Sequence, residues 1–319
     1  MISIVIVTFN SVPEVLACLA SIEHCAARIP HEVIVVDNAS SDGTIAALRE
    51  RFPAVRLVAN EENVGFPRAN NQALPLVRGE YIFFLNPDSE LQPGALDLLL
   101  TELDDAPGRA AVGPRVRKPS EFASRTCARR LPTLWTEFCD LLWLDRIFLH
   151  SRIFAWKYYE PWDRATDRDV ECLLGAAMLC RTAQIRALGG FDESVPLYLD
   201  DMDLCNRLGG GELGRLHYVS GAEVLHHYSV STRKQATPLI KRLGLQATYL
   251  YFRKAKGGAY ARAYVATVAL AGIVAFPLGL LRLLGGSLEK ARRRWDEARV
   301  FVGWAWRSKA VTYTLPRLP

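Results

Sequence analysis

The chain has 319 residues, a formal net charge of +5 and a sequence pI near 8.8, with 50% hydrophobic and 23% charged residues. That is enough for one large α/β core with appended helices, or for two modest domains, and it excludes a disordered chain, a collagen-like chain and a repeat array. The basic balance fits an anionic partner without naming one. Seven cysteines with no C-x-x-C pair predict buried thiols in a reducing compartment, not a zinc site or a disulfide framework.

Met1 leads into the apolar run Ile2 to Val7 without a basic leader. That run is too short for a signal h-region, so the expected location is cytoplasmic. The run itself reads as a strand, stopped by Thr8-Phe9-Asn10, and Pro13 to Ile22 has helical spacing. A second strand, Glu32 to Val36, stops at Asp37-Asn38 and the turn to Gly43, followed by a helix from Thr44 to Phe52. Val55 to Ala59 and Phe66 to Leu76 repeat the pattern, and Tyr81 to Leu85 ends on Asn86-Pro87-Asp88. Apolar strands separated by helices predict a parallel sheet with right-handed crossovers.

In such sheets ligands sit beyond the carboxyl ends of the strands. Those ends carry Thr8 and Asn10, Asp37 and Asn38, Asn60 and Asn63, and Asn86 and Asp88. Capping and turn formation account for Ser40, Ser41 and Gly43. They do not account for acids and amides at all four ends, which point to a polar ligand crevice.

From Gly113 to Asp169 the chain is rich in Arg and Trp, without a strand period. It reads as an insertion over the active site, helical around Leu134 to Phe154. Strand signal returns from Val170 through Leu174 to Cys180, then a helix from Thr182 and a turn at Leu188 to Asp192.

Three constellations bear chemistry. Asn86-x-Asp88 places a carboxylate on a turn after a buried strand, which suits a hard cation that takes one or two carboxylates plus substrate phosphates. Asp192, Glu193, Asp200, Asp201 and Asp203 crowd five acids into twelve residues; solvation, partners, metal or a general base would explain them. His226-His227 leaves the strand-like stretch Arg215 to Leu225, and two imidazoles in a chain with a metal candidate suggest ligands.

These pieces, in this order, resemble the rhamnosyltransferase-like branch of glycosyltransferase family 2. The matching text is Ile4 to Asn10, Val36 to Thr44, Asn63-Val-Gly-Phe66 with Asn70-Asn71, Phe84 to Asp88, Gly175 to Met178, Gly189 to Glu193, Asp200 to Leu204 with Arg207, and His226 to Thr232. The resemblance implies a GT-A (nucleotide-diphospho-sugar transferase) fold: α/β, with a mainly parallel central sheet flanked by helices. It implies a catalytic domain at 1–250 and a C-terminal helical extension at 251–319. The implied enzyme is an inverting, metal-dependent hexosyltransferase that moves L-rhamnose or a related deoxysugar from a dTDP-sugar. The acceptor would be a hydroxyl of a saccharide or lipid-linked saccharide in cell-surface polysaccharide synthesis.

Carried over residue by residue, Thr8, Asn10 and Asp37 would hold base and ribose, Asp37 accepting from the pyrimidine N3–H, and Asn38 would also bind the nucleotide. Asn63, Gly65 and Asn71 would line the nucleotide pocket, with Asn86 as a hydrogen-bonding support. Asp88 would bind Mg²⁺ or Mn²⁺, and His226 or His227 would complete that site or touch the phosphates. Asp201, beside Asp200, would deprotonate the acceptor. Two places depart from the family text: Asn86 stands where an acid is commoner, and Asp200 where Glu is usual.

Ala263 to Leu281 is uncharged, contains Pro277, and has basic residues on both sides. It falls slightly short of a span and suits a kinked helix lying in an anionic inner leaflet, with Trp295, Phe301, Trp304 and Trp306 on a second amphipathic helix. A helix packed on the core or a homodimer interface is the other reading. Dinucleotide oxidoreductases need a Gly-x-Gly-x-x-Gly that Thr8-Phe9-Asn10-Ser11 does not supply, and no reading helix suggests nucleic acid. A UDP-hexose transferase of the same fold and a non-catalytic nucleotide-sugar binder remain as alternatives; Asp88 and Asp201 together argue against the second.

Overall fold

The computed structural model describes residues 1–118, 124–194, 199–210, 213–227, 237–284 and 287–307. Strand and helix alternate at the start: β1 (Ile2–Thr8), α1 (Val12–Cys25), β2 (His31–Asp37), α2 (Thr44–Arg51), β3 (Arg56–Ala59), α3 (Phe66–Ala73) and β4 (Tyr81–Leu85). All seven residues of β1 are buried, as expected of a strand covered on both faces. α1 buries Val15, Leu16, Cys18, Leu19 and Ile22, the i, i+3, i+4 stripe of a helix lying on a sheet. The third helix stops sooner than its spacing suggests. Pro75 has no amide to donate, and Leu74–Leu76 tightens into a 3₁₀ turn.

The chain continues through β5 (Ser89–Leu91), α4 (Ala95–Asp104), β6 (Arg109–Arg117), β7 (Ala128–Arg129), α5 (Leu134–Leu141) and α6 (Leu144–Ile147). It then forms β8 (Arg168–Val170), β9 (Cys172–Leu173), β10 (Ala177–Arg181), α7 (Thr182–Ala187), α8 (Asp200–Gly209) and β11 (Arg215–His226). Three long helices close it: α9 (Thr237–Lys256), α10 (Gly258–Leu284) and α11 (Leu288–Arg307).

The main sheet has the order β3-β2-β1-β4-β10-β6-β11-β5, with β8 beside β11. β1, β2, β3 and β4 pair in parallel, as do β6 and β11. β10 is antiparallel to both neighbours, and β5 and β8 are antiparallel to β11. The sheet is therefore mixed. β6 supplies a nine-residue strand at the edge of the stretch that shows no strand period. A separate ladder joins β7 to β9.

Two compact units divide the chain: Met1–Leu131, Trp162–Ser194 and Asp200–Lys234 in one, Pro132–Pro161, Val195–Leu199 and Gln235–Pro319 in the other. The first holds the sheet. In the second, α10 buries Ala261, Tyr264, Val268, Ala271 and Ala275 as a helical stripe, and the helix itself runs on through Pro277. The Trp143 ring stacks under the Arg294 guanidinium at 3.8 Å, and Lys157 Nζ donates to Glu137 Oε1 at 2.9 Å in a buried pair. All seven cysteines are free thiols, and all but Cys25 are buried.

Candidate active site

β1 and β2 place Thr8 opposite Asp37, so the loops leaving them share one crevice edge. Thr8 is buried, with its Oγ1 2.7 Å from Ser11 Oγ. Asn10 lies at φ +49, a left-handed conformation that asparagine tolerates better than most residues. There its Oδ1 accepts from the Ser41 amide at 2.7 Å, while its own amide donates to Ser40 Oγ at 2.9 Å. Asp42 closes the lattice by accepting from the Val12 and Thr44 amides at 3.2 and 3.1 Å. Partial burial pushes its carboxyl up, but the hydrogen bonds from Thr44 and Val12 outweigh that and hold it below the ordinary range.

Asp37 is fully buried at the end of β2. Its Oδ2 accepts from the Ser40 amide at 2.9 Å, and its Oδ1 has no hydrogen-bond partner among the described residues. A buried acceptor left unmade costs about 1–3 kcal/mol, and more for a charged group. This oxygen is therefore set up for a donor from outside the chain. Next to it, Asn38 donates to Asn63 Oδ1 at 2.9 Å and accepts from the Val64 amide at 3.0 Å, while Gly65 N–H donates to Asn63 Oδ1 at 3.0 Å. The loop at 60–65 is thus held on the ends of β2 and β3.

Asn71, on α3, meets the turn that follows α7. Its Nδ2 donates to Phe191 O at 2.8 Å and to Glu193 Oε1 at 3.0 Å, and its Oδ1 accepts from the Phe191 amide at 2.8 Å. The side chain is committed to clamping the 190s turn. Gly190 makes this possible at φ +82, since a Cβ there would lie 2.3 Å from Asn71 Oδ1.

A second cluster forms where β5 pairs with β11, His226 opposite Ser89. The residue before Ser89 is Asp88, and its Oδ1 meets His226 Nε2 at 3.0 Å. Asn86 Nδ2 lies 3.5 Å from the same nitrogen. His227 turns away, with its Nε2 2.6 Å from Glu90 Oε1, while its amide donates to Asp88 O at 3.0 Å. Of the two histidines, His226 is therefore the one whose ring faces the carboxylate turn. The Ser231-Thr232 end of the histidine motif lies outside the described residues. Beneath the turn, burial first, then the charges of Asp88 and Glu90, push the Cys18 thiol up, which leaves it an inert filler.

One carboxylate oxygen on the turn before β5 and one imidazole nitrogen at the end of β11, 3.0 Å apart, form a donor set that fits a divalent cation sharing its remaining positions with phosphate and water. A different three-residue grouping, Glu102, Asp167 and His217, has ligand-type atoms within 4.8 Å of one another. His217 is nine residues before His226 on β11, on the order of 30 Å away at strand rise. Arg109 pairs with Glu102, Ser220 donates twice to Asp167, and Asp169 takes His217 Nδ1. Those partners already satisfy it, and it is separate from the crevice.

The acidic cluster resolves into distinct tasks. Asp203 accepts from Arg207 Nε at 2.6 Å, one turn along α8. Asp192 caps its own turn by accepting from Ser194 at 2.9 Å. Asp200 is buried at the start of α8. Asp201, also buried, accepts from Arg129 Nη2 at 2.7 Å and from the Gly175 amide at 3.2 Å on Oδ2, and from the Met202 amide at 2.8 Å on Oδ1. Arg129 had no signal in the sequence beyond its place in an Arg-rich stretch.

Residues 3–160 match the family model described as Glycosyl transferase family 2. The chain is also 32% identical, over 249 residues, to the N-acetylglucosaminyl-diphospho-decaprenol L-rhamnosyltransferase of Mycobacterium tuberculosis; the match covers 72% of this chain and 76% of that protein. The chain belongs to glycosyl transferase family 2. As a family 2 protein it has the GT-A fold. The mannosyltransferase PcManGT of Pyrobaculum calidifontis, solved with GDP-Man and Mn²⁺, superposes with a TM-score of 0.59 at 19% identity, over 98% of this chain and 88% of that one. TarS 1–349 of S. aureus, solved with UDP-GlcNAc, gives 0.53 at 15% identity, over 98% and 93%. Glycosyl transfer is thus the chemistry of this family 2 chain.

Proposed function

We propose that this family 2 glycosyltransferase moves L-rhamnose, or a related deoxysugar, from a dTDP-sugar to a hydroxyl of a lipid-linked saccharide, with inversion. The acceptor and sugar follow the mycobacterial relative's name. The observation that carries the reading is the unpartnered, fully buried Asp37 Oδ1 beside Thr8 and Asn10. Thymine and uracil each present an N3–H that such an oxygen accepts. Asp88 and His226 would hold a divalent cation, with Asn86 as a hydrogen-bonding support beside them. When bound, the cation neutralises the departing diphosphate. Asp201 would take the proton from the acceptor hydroxyl, so no covalent intermediate is needed. The cation would be Mg²⁺ or Mn²⁺, both of which suit a carboxylate site completed by phosphate and water.

The catalytic domain would span 1–250, with 251–319 as a membrane-associating extension on the inner face of the cytoplasmic membrane. Within Gly258–Leu281 an 18-residue stretch has a mean hydropathy of 2.1, and 33% of that stretch is buried. Leu270, Ile273, Phe276, Leu280 and Leu281 stand exposed on the side of α10 opposite its packed stripe. Apart from Met1 and Leu98, every exposed large hydrophobic residue among the described residues belongs to the second compact unit. Exposed Arg253, Lys256 and Arg262 precede the apolar stretch, and Lys290, Arg292 and Arg293 follow it, which suits anionic headgroups.

Thermal-shift titration tests the donor reading. dTDP-rhamnose, dTDP and UDP should each raise the Tm in Mn²⁺, and GDP should not. Equal stabilisation by GDP, or none by any pyrimidine nucleotide, overturns it.

A further inference from the structure

We propose that Arg129 is a positioning residue that fixes the Asp201 carboxylate so that Oδ1, not Oδ2, receives the acceptor's proton. The proposal rests on Asp201 being the base.

The case begins with the small ladder outside the main sheet. β7 and β9 pair Ala128 with Leu173 and Arg129 with Cys172, and the Leu174 amide continues the ladder to Cys127 O at 3.2 Å. One two-stranded element therefore delivers both the Arg129 side chain and the Gly175 amide to the first turn of α8. Both land on the same oxygen. Oδ2 accepts Arg129 Nη2 at 2.7 Å and Gly175 N–H at 3.2 Å, whereas Oδ1 accepts one amide, from Met202, at 2.8 Å. A carboxylate oxygen has two lone pairs, so two donors fill Oδ2 and one site stays open on Oδ1.

Packing reinforces the choice. A Cβ on Gly175 would lie 2.9 Å from Asp201 Cβ, so only glycine lets the amide approach this closely. The Arg129 and Asp201 side chains are 12% and 11% exposed, and an ion pair this dry is held in one geometry far better than a surface pair. Arginine has five donors and no acceptor, and it does not lose its proton in proteins. It can orient a base without competing to be one. Asp203 and Arg207, the neighbouring pair on α8, face each other at 2.6 Å and leave Asp201 to Arg129.

The test uses the full chain, with dTDP-rhamnose as donor, an N-acetylglucosaminyl-diphospho-lipid as acceptor, and D201N assayed alongside. R129Q should lose about 100-fold in kcat with KM for donor and acceptor changed less than about threefold, the pattern of a change that acts on the chemical step and not on substrate binding. R129K, which keeps the charge and one donor, should recover at least tenfold of that loss, and R129Q/D201N should be no slower than D201N. Full turnover by R129Q, or a raised acceptor KM at unchanged kcat, overturns the proposal. If R129Q does not fold, R129K decides alone: wild-type kcat with a raised KM overturns it, and reduced kcat at unchanged KM supports it. Retained turnover by D201N instead overturns the assignment of the base itself.

Discussion

Asp88 and His226, separated by most of the catalytic unit in sequence, meet at 3.0 Å because β5 returns antiparallel along the end of β11. The carboxylate turn and the histidine are thereby one site and not two. Their pairing carries the first prediction. Asp88→Ala and His226→Ala should each weaken nucleotide binding in Mn²⁺ and change it little in EDTA. Titration calorimetry with dTDP and UDP checks this; one lost ligand at a site completed by phosphate should cost at least tenfold, or about 1.4 kcal/mol. His227→Ala, which removes a partner of Glu90, should leave metal-dependent binding near wild type.

Asp37 supports a sharper expectation. Its Oδ2 is held by Ser40, and its Oδ1 is buried and unpartnered. Asp37→Asn keeps the size but removes the charge-assisted acceptor. Hydrogen bonds to charged groups contribute about 1.5–3 kcal/mol, so dTDP and UDP should bind about 10- to 100-fold more weakly. The same protein should bind Mn²⁺ as before, because Asp88 and His226 are unaltered.

Much of this site is legible in the sequence because parallel strands buried on both faces announce themselves as short apolar runs, and the polar residues that stop them mark the crevice. Thr8, Asn10, Asp37, Asn38 and Asn63 all lie at those ends. The mixed half of the sheet is not legible in that way. β6 has arginines at both ends and a proline within it, and β7 and β9 are two residues each, too short for any period to show. Arg129 lies in that part of the chain. The motif assigns Asn71 to the pocket lining but does not reveal that its amide clamps Phe191 and Glu193; spacing along a helix cannot say which neighbour an amide meets.

That clamp predicts a stability effect. Gly190 is at φ +82, with room for no Cβ beside Asn71 Oδ1 and Leu74. Gly190→Ala should destabilise the protein by roughly 2–4 kcal/mol, from left-handed strain plus displacement of the half-buried Asn71 amide from its hydrogen bonds. Chemical denaturation gives the figure. Asn71→Ala should show a comparable loss, and the double variant less than the sum, because the two act on one contact.

The extension tests the membrane reading without truncation. Ile273 and Phe276 are 65% and 62% exposed on α10, while its buried stripe is what holds the helix to its neighbours. Ile273→Glu with Phe276→Glu should therefore leave the Tm within a few degrees of wild type, since surface substitutions usually change stability by less than about 0.5 kcal/mol. Burying each of these side chains in lipid is worth about 1.5–3 kcal/mol, and a charge in that place is worse than a gap. In flotation with vesicles of phosphatidylglycerol and phosphatidylcholine, wild-type protein should rise with the lipid and the double variant should stay at the bottom. Release of the wild type by high salt would add the contribution of the flanking basic residues. Equal flotation of both proteins would assign this face to something other than lipid.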